Sequence, residues 1–372
     1  KREEIIKIQN FGKGISNLTR HWVKTGYGNT TKNKGAVGIS FNYNGVSLCF
    51  VCAHLAAHQT KTQLRNEMFY RIWNKMCLGW PKLKLEQFHH IFFLGDLNYR
   101  IDYLDREHSD KANEQEFLKM IKTINNIRDG DYSILLKDDQ LLKLRKHKQI
   151  FLSFKEGKIH FPPTFKVKPG FKTNEYLPQR LPAYTDRILS RSLKNYEPEL
   201  LYYKSNPTIS LSDHKPVYAE WKLFTWNRLC SLDDTCVKCE LIFKSMKGYH
   251  LIAQDVNGTS DPFIHFPRQV LLNKYIDSKR VNSTLNPVWK DKDFPVLSIV
   301  RTSLNYLLNG VLFIEVRDHN LFSSADSMGY TSLPLYDFVK NVNKFVSFEL
   351  RLTHKGKNGG RILGNAKLVY KN

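Results

Sequence analysis

Phe93-Leu94-Gly95-Asp96-Leu97-Asn98-Tyr99-Arg100 is the stretch whose reading decides the fold. An apolar run ends at a glycine and then presents a carboxylate, an amide and a guanidinium in quick succession, as a buried strand does where its end opens into a cleft. Two later stretches have the same form: Pro182-Ala183-Tyr184-Thr185-Asp186-Arg187-Ile188-Leu189 and Ser212-Asp213-His214-Lys215-Pro216-Val217. Acids, an amide and a histidine delivered by strand ends suit metal-assisted hydrolysis of a phosphate ester.

Outward from that strand, read as 90–94, the chain alternates strand-like and helical runs. Residues 35–41 and 45–53 form two strands joined by an Asn-Tyr-Asn-Gly turn, a hairpin signal. Apolar residues at Leu64, Met68, Ile72 and Met76 predict a helix over 62–78. Residues 114–144 read as helical with a break at Asp129-Gly130-Asp131, and 217–221 as a closing strand. After a polar, turn-rich stretch at 223–236 the texture changes to short strands, among them 237–243, 263–266, 311–316, 345–352 and 366–370. That spacing indicates an antiparallel sandwich. Two domains, 1–222 and 237–372, agree with a length of 372 residues.

The formal charge of +22 arises from 57 basic and 35 acidic residues. Such an excess draws a protein towards phosphates, whether of nucleic acid, inositides or an anionic leaflet. No apolar stretch reaches the ~18 to 20 residues of a bilayer span, and Lys1-Arg2-Glu3-Glu4 leads in without the apolar run of a secretory signal. A cytoplasmic protein that attaches peripherally to membranes is expected. Cys49 with Cys52 and Cys236 with Cys239 have Cys-x-x-Cys spacing, but residues three apart on a strand point to opposite faces, so structural thiols are expected rather than zinc.

Phosphate ester hydrolysis needs charge stabilisation of the phosphoryl oxygens and a positioned water. Asp96 can orient or deprotonate that water, and Asn98, on the same face if the strand continues, can donate to a phosphoryl oxygen. His214 can bind or protonate the phosphate, with Asp186 holding its imidazole. Asp213 is the expected carboxylate for magnesium, which takes one or two carboxylates and keeps several waters.

With these motifs in hand, the chain resembles the inositol polyphosphate 5-phosphatases, of the fold shared by endonuclease, exonuclease and phosphatase enzymes. Asn33-Lys34-Gly35-Ala36-Val37, His54-Leu55-Ala56-Ala57, Arg65-Asn66, Asp139-Gln140-Leu141 and Phe161-Pro162-Pro163-Thr164-Phe165-Lys166 extend the resemblance over residues 1–222. It implies an α/β two-sheet sandwich of the DNase I-like type, flanked by helices, that removes the 5-phosphate from inositol lipids or soluble inositol polyphosphates with Mg2+. It also makes His54 an active-site histidine and Arg100, Lys166 and Arg187 substrate-binding residues, Lys166 meeting the neighbouring ring phosphate. The family pattern opens with a strand carrying Asn and with a Gln-Glu pair whose Glu binds magnesium. Neither has a counterpart before Lys24, so a sheet lacking its first strands, an N-terminally incomplete domain and uncertain activity of this chain alone are expected. Pro178 and Cys52 also depart from the pattern, the former where relatives carry a basic residue for the 4-phosphate.

Asp255-Val256-Asn257-Gly258-Thr259-Ser260-Asp261, Leu285-Asn286-Pro287-Val288-Trp289 and Val316-Arg317-Asp318-His319-Asn320, with Asp326 and Gly329, resemble a C2 domain. Asp255, Asp261, Asp318, Asn320 and Asp326 then form a possible Ca2+ site, weakened by Asn320 at a usual Asp position. Leu321 and Phe322 are expected to enter a bilayer, aided by Lys274, Lys279 and Arg280. A phosphatase with a C2 domain behind it is similar to the SH2-containing inositol 5-phosphatases. The resulting expectation is a phosphoinositide 5-phosphatase held at its membrane, with no nucleic-acid partner. Its alternatives are a catalytically impaired C2 lipid-binding fragment and a magnesium nuclease of the same fold.

Overall fold

The computed structural model describes residues 15–26, 33–79, 83–102, 113–194, 196–223, 236–255, 258–320 and 324–371. The N-terminal region contains β1 (Ile15–Lys24), β2 (Gly35–Tyr43), β3 (Val46–His54), α1 (Thr62–Lys75), β4 (Cys77–Leu78), β5 (Leu83–Lys84) and β6 (His90–Asp96). It continues through α2 (Glu114–Asn126), α3 (Ser133–Leu136), α4 (Gln140–Lys146), β7 (Lys155–Glu156), β8 (Asp186–Ser192), β9 (Glu199–Ser205) and β10 (Val217–Lys222).

One sheet runs β1-β2-β3-β6-β8-β7, and β9 pairs with β10 in a second. The β2–β3 hairpin turns at Asn44 and Gly45, both at positive φ (48° and 80°), the backbone that Asn-Gly adopts most readily. The helix predicted over 62–78 ends at Lys75, because Met76 is extended and Cys77 enters β4. Its buried face is broader than the predicted stripe, with Arg65, Asn66, Phe69 and Trp73 joining Met68 and Ile72. Phe69 packs on Phe93 and Phe151, 5.4 and 4.2 Å between ring centres, closing the core between α1 and the sheet. The region predicted as broken helix is three helices, and the break at Asp129-Gly130 has both residues at positive φ.

The other face of the large sheet is covered unevenly. Trp221 of β10 packs on Phe92 of β6 (4.9 Å), and Phe92 on Phe50 of β3 (5.0 Å). Towards β1 this cover ends. Trp22 pairs in register with Val37, and Ile39 with Phe50, and these four side chains are among the exposed large apolar residues, Trp22 at 64% and Val37 at 58%. Among the described residues the second sheet of the sandwich consists of two strands, β9 and β10.

Beyond 224–235, which lie outside the described residues, β11 (Cys236–Tyr249) starts one residue inside the expected linker. It is followed by β12 (Pro262–Phe266), β13 (Ile276–Asp277), β14 (Val288–Lys290), β15 (Leu297–Ser303), α5 (Leu304–Leu308), β16 (Val311–Asp318), β17 (Asp326–Pro334), α6 (Tyr336–Lys340), β18 (Val346–His354) and β19 (Lys357–Lys371). All pairings here are antiparallel. The sheet curls into two halves that meet at one register pair, Tyr330 with Thr353. Inward residues such as Leu241, Phe243, Phe266, Trp289, Ile314 and Leu352 fill the space between them. The two domains touch: His89 Nε2 lies 2.9 Å from the Asn309 carbonyl, and the Ser332 hydroxyl donates to the Glu86 carbonyl. Cys49 and Cys239 are buried while Cys52 and Cys236 are exposed, as alternation on a strand requires.

Candidate active site

His54 ends β3, Asp96 ends β6 and Asp186 begins β8, and the three are direct register partners across adjacent strands. Strand register alone therefore lines up an imidazole and two carboxylates on one sheet margin. Gly95 makes this possible: at φ 123° a side chain there would meet the Ala53 carbonyl at 2.1 Å. Past Asp96 the chain bends, and the Leu97 amide donates to the Thr185 carbonyl (2.8 Å), locking this margin to β8.

Asn98 corrects the sequence reading. The strand does not continue to it; Asn98 takes a left-handed backbone at φ 58° and is buried. Its Nδ2 donates to Asp96 Oδ2 (2.9 Å) and the Leu55 carbonyl (3.1 Å), while its Oδ1 accepts from Arg100 Nη2 (2.6 Å). Both amide hydrogens are committed, so Asn98 orients Asp96 rather than reaching out to a phosphoryl oxygen. Arg100 is buried, bonds to Asn98 and lies 4.7 Å above the Phe165 ring.

Asp186 Oδ2 accepts from the hydroxyls of Thr164 (2.7 Å) and Thr185 (2.9 Å) and lies 3.0 Å from His214 Nδ1. The Phe165 ring packs against that of His214 at a tilt of 40°, with 4.6 Å between centres. Burial opposes an imidazolium here, yet the hydrogen bond and charge of Asp186, joined by the charges of Asp96 and Asp213, raise the His214 pKa above its ordinary value. Asp213, half-exposed, lies with its carboxylate 3.9 Å from Lys166 Nζ, and its charge acts on His214.

Two groups that the motifs alone did not single out complete it. Lys34 Nζ contacts His54 Nε2, which itself lies 3.2 Å from Asp96 Oδ2; burial lowers the Lys34 pKa, against the pull of Asp96. Thr164 and Thr185 fix Asp186. Both sit inside segments quoted for the resemblance, which is the only signal that could have found them. A cavity of about 530 Å³ adjoins His54, Asp96 and Lys34, and its other walls include polar Lys24 and Asn33 as well as apolar Trp22, Val23, Ala36 and Val37.

Arg187 is the second correction. It was expected to bind substrate, but its side chain is wholly buried, bonded to Asp139 (2.9 Å) and Glu156 (2.7 Å). The two carboxylates raise its pKa against desolvation, and it serves to tie β8 to α4 and β7.

Among the described residues no three His, Cys, Asp or Glu side chains converge closely enough to hold a metal by themselves. Magnesium needs only one or two carboxylates, and Asp213, with Asp96 acting on the same imidazole, supplies hard oxygen donors for it. In the C-terminal domain Asp318 is buried; its Oδ1 accepts from the Asp261 amide (2.6 Å), and its Oδ2 has no partner among the described residues. Burial and the charges of Asp255, Asp261 and Asp326 raise its pKa above the ordinary carboxylate range. Asn320 Nδ2 donates to Asp326 Oδ2 (2.9 Å). Lys274, Lys279 and Arg280 are exposed, and Arg280 contacts His319 beside these acids. Leu321 and Phe322 lie outside the described residues.

The family model of Endonuclease/Exonuclease/phosphatase family 2 matches residues 4–220, and the C2 domain model matches residues 239–350. Phosphatidylinositol 3,4,5-trisphosphate 5-phosphatase 2 of Homo sapiens is 28% identical over 375 residues, 95% of this chain and 28% of that protein. Phosphatidylinositol 3,4,5-trisphosphate 5-phosphatase 1 of Rattus norvegicus is 37% identical over 220 residues, 56% of this chain and 18% of that protein. The chain thus spans less than a third of the length of either relative. Among solved structures, the inositol polyphosphate 5-phosphatase domain of SpSynaptojanin, in complex with inositol (1,4)-bisphosphate and calcium ion, is 31% identical over 58% of each chain with a TM-score of 0.47.

Proposed function

The chain belongs to Endonuclease/Exonuclease/phosphatase family 2 with a C2 domain behind it, and from that premise we propose that it removes the 5-phosphate of inositol lipids at a membrane surface. One observation carries this reading: His54, Asp96 and Asp186 stand in one register row, with His214 bonded to its end. The 5-phosphatase identity of the relatives supports the substrate class.

In the proposed reaction a water attacks phosphorus and gives its proton to Asp96, which Asn98 holds in place. The bond from phosphorus to the inositol oxygen breaks, and that oxygen takes a proton from the His214 imidazolium, whose other nitrogen Asp186 fixes. Lys166 and Lys34 supply positive charge for the phosphate groups. Magnesium, held through Asp213, would polarise the phosphoryl oxygens when bound. The C2 domain adds affinity for anionic lipid through Lys274, Lys279 and Arg280, and calcium would be held by Asp255, Asp261, Asp318 and Asp326. Keeping the enzyme at the bilayer raises the effective substrate concentration without changing the chemistry. Soluble inositol polyphosphates present the same phosphate to the site.

The test is phosphate release from a short-chain inositol trisphosphate lipid, with magnesium, by the chain and by its Asp96→Ala variant. Release that the variant abolishes supports the proposal. Lipid binding without release would leave only the membrane-docking function, and cleavage of DNA or RNA would assign the site to nucleic acid instead.

A further inference from the structure

We infer that the cleft between the two domains is a second anion site, shaped for a compact, multiply phosphorylated molecule. The cleft encloses about 660 Å³ and takes its walls from both halves of the chain. It forms where two sheets stop pairing. Strand β7 pairs with β8 only at Lys155 with Ser190 and Glu156 with Leu189, so the β8 edge beyond Ser190 stands open. Across the gap, β17 and β18 meet only at Tyr330 with Thr353 and splay apart where Thr331, Ser332, Glu349 and Arg351 line the space.

The charges facing this space are unbalanced. Lys155, Arg191, Lys194 and Arg351 line it. Among the described residues Lys155, Lys194 and Arg351 form no ion pair, and Arg191 lies in the field of Glu86. The acids at the cleft are mostly committed elsewhere: Glu156 to Arg145 and Arg187, and Glu349 to Arg361. Only Glu197 stands against the three free cations. Nearly buried Ser190 and Thr331 also line the cleft, and a hydroxyl can donate to anionic oxygens. Like charges gathered in a partly enclosed space repel one another more than they would in open water. A ligand carrying several phosphates relieves that repulsion, and its phosphate oxygens accept charge-assisted hydrogen bonds from Lys155 and Lys194 on one side and Arg351 on the other. Because those residues belong to different domains, bound anion ties the domains together. A free inositol polyphosphate and a lipid headgroup share this chemistry.

The test is calorimetric titration of inositol hexakisphosphate at physiological salt into the Asp96→Ala chain. Run beside it is the same chain carrying Lys155→Ala and Arg351→Ala. Sedimentation with vesicles containing phosphatidylinositol bisphosphate forms the second arm. The expected result is a binding event weakened about tenfold or more per cation removed, the loss that one charge-assisted hydrogen bond predicts. Loss in the titration assigns the site to soluble phosphates, and loss confined to vesicle sedimentation assigns it to a headgroup. If the two substitutions lower the melting temperature, Lys194→Ala alone serves as the variant. Unchanged binding in both arms overturns the inference. Since no arm measures phosphate release, its failure is separate from failure of the proposed catalysis.

Discussion

His214 Nδ1 lies 3.0 Å from Asp186 Oδ2, a carboxylate oxygen already held by two threonine hydroxyls, so the imidazole is fixed through one nitrogen, and the proposed reaction uses the other. The pKa of His214 is raised by this contact, which keeps the imidazolium populated above the ordinary histidine range. A reaction that needs the imidazolium is therefore lost as pH rises through that raised value. Asp186→Asn moves the alkaline limb of kcat/KM to lower pH and cuts the rate by roughly 10²-fold or more. An alkaline limb that stays in place in this variant removes His214 from the proposed proton transfer.

Asn98 holds Asp96 and Arg100 from a left-handed backbone. Asn98→Ala loses these bonds and adds backbone strain, for a stability loss of about 1–3 kcal/mol by chemical denaturation. Asn98→Gly recovers the strain component but not the activity, since no side chain then orients Asp96. Equal stability of the two variants would show that strain is not part of the cost.

Arg187→Met leaves Asp139 buried without its ion-pair partner and leaves Glu156 paired with Arg145 alone. The expected loss is about 3–5 kcal/mol of unfolding free energy. Any protein that remains folded should show a nearly unchanged KM. A raised KM at full stability would return Arg187 to the substrate.

Glu86 is fully buried at the domain junction, bonded to Trp73 Nε1, and burial pushes its pKa up to about 7. A carboxyl whose folded pKa exceeds its unfolded value favours folding fully below the unfolded value, and that advantage is lost as pH rises through the folded one. Stability should therefore decline between about pH 4.5 and 7 on this account. Glu86→Gln, which keeps the acceptor for Trp73, flattens that decline and melts higher at pH 8. Parallel melting curves for the two proteins across this range would contradict it.

Asp318 presents a buried carboxylate oxygen without a partner among the described residues. Calcium should raise the melting temperature of the chain, and Asp318→Asn should remove most of that rise. Equal calcium effects in both proteins would rule out these loops as the ion site.

Much of the architecture was legible from local chemistry. The β2–β3 hairpin followed from Asn44-Gly45, the buried strand β6 from a short apolar run ending in Gly95-Asp96, and the C-terminal sandwich from evenly spaced strands. These signals are local, set by turn residues and side-chain alternation over a few positions. The burial of Arg65 and Arg187 was not legible, because a charged residue reads as exposed until its partners, here Gln140 on α4 for one and Asp139 and Glu156 for the other, are brought up from distant segments.

The linear chain by itself determined which strand ends carry chemistry, since Asp96, Asp186 and His214 each stand at or beside a strand terminus marked by glycine or proline. Only the tertiary structure decided what each residue does there. Strand register set His54 beside Asp96 and Asp186, the left-handed turn at Asn98 folded its amide inward, and the early end of pairing in β7 and between β17 and β18 opened the basic cleft. Register, turn handedness and the extent of pairing are fixed by contacts between segments far apart in sequence, so no local pattern encodes them.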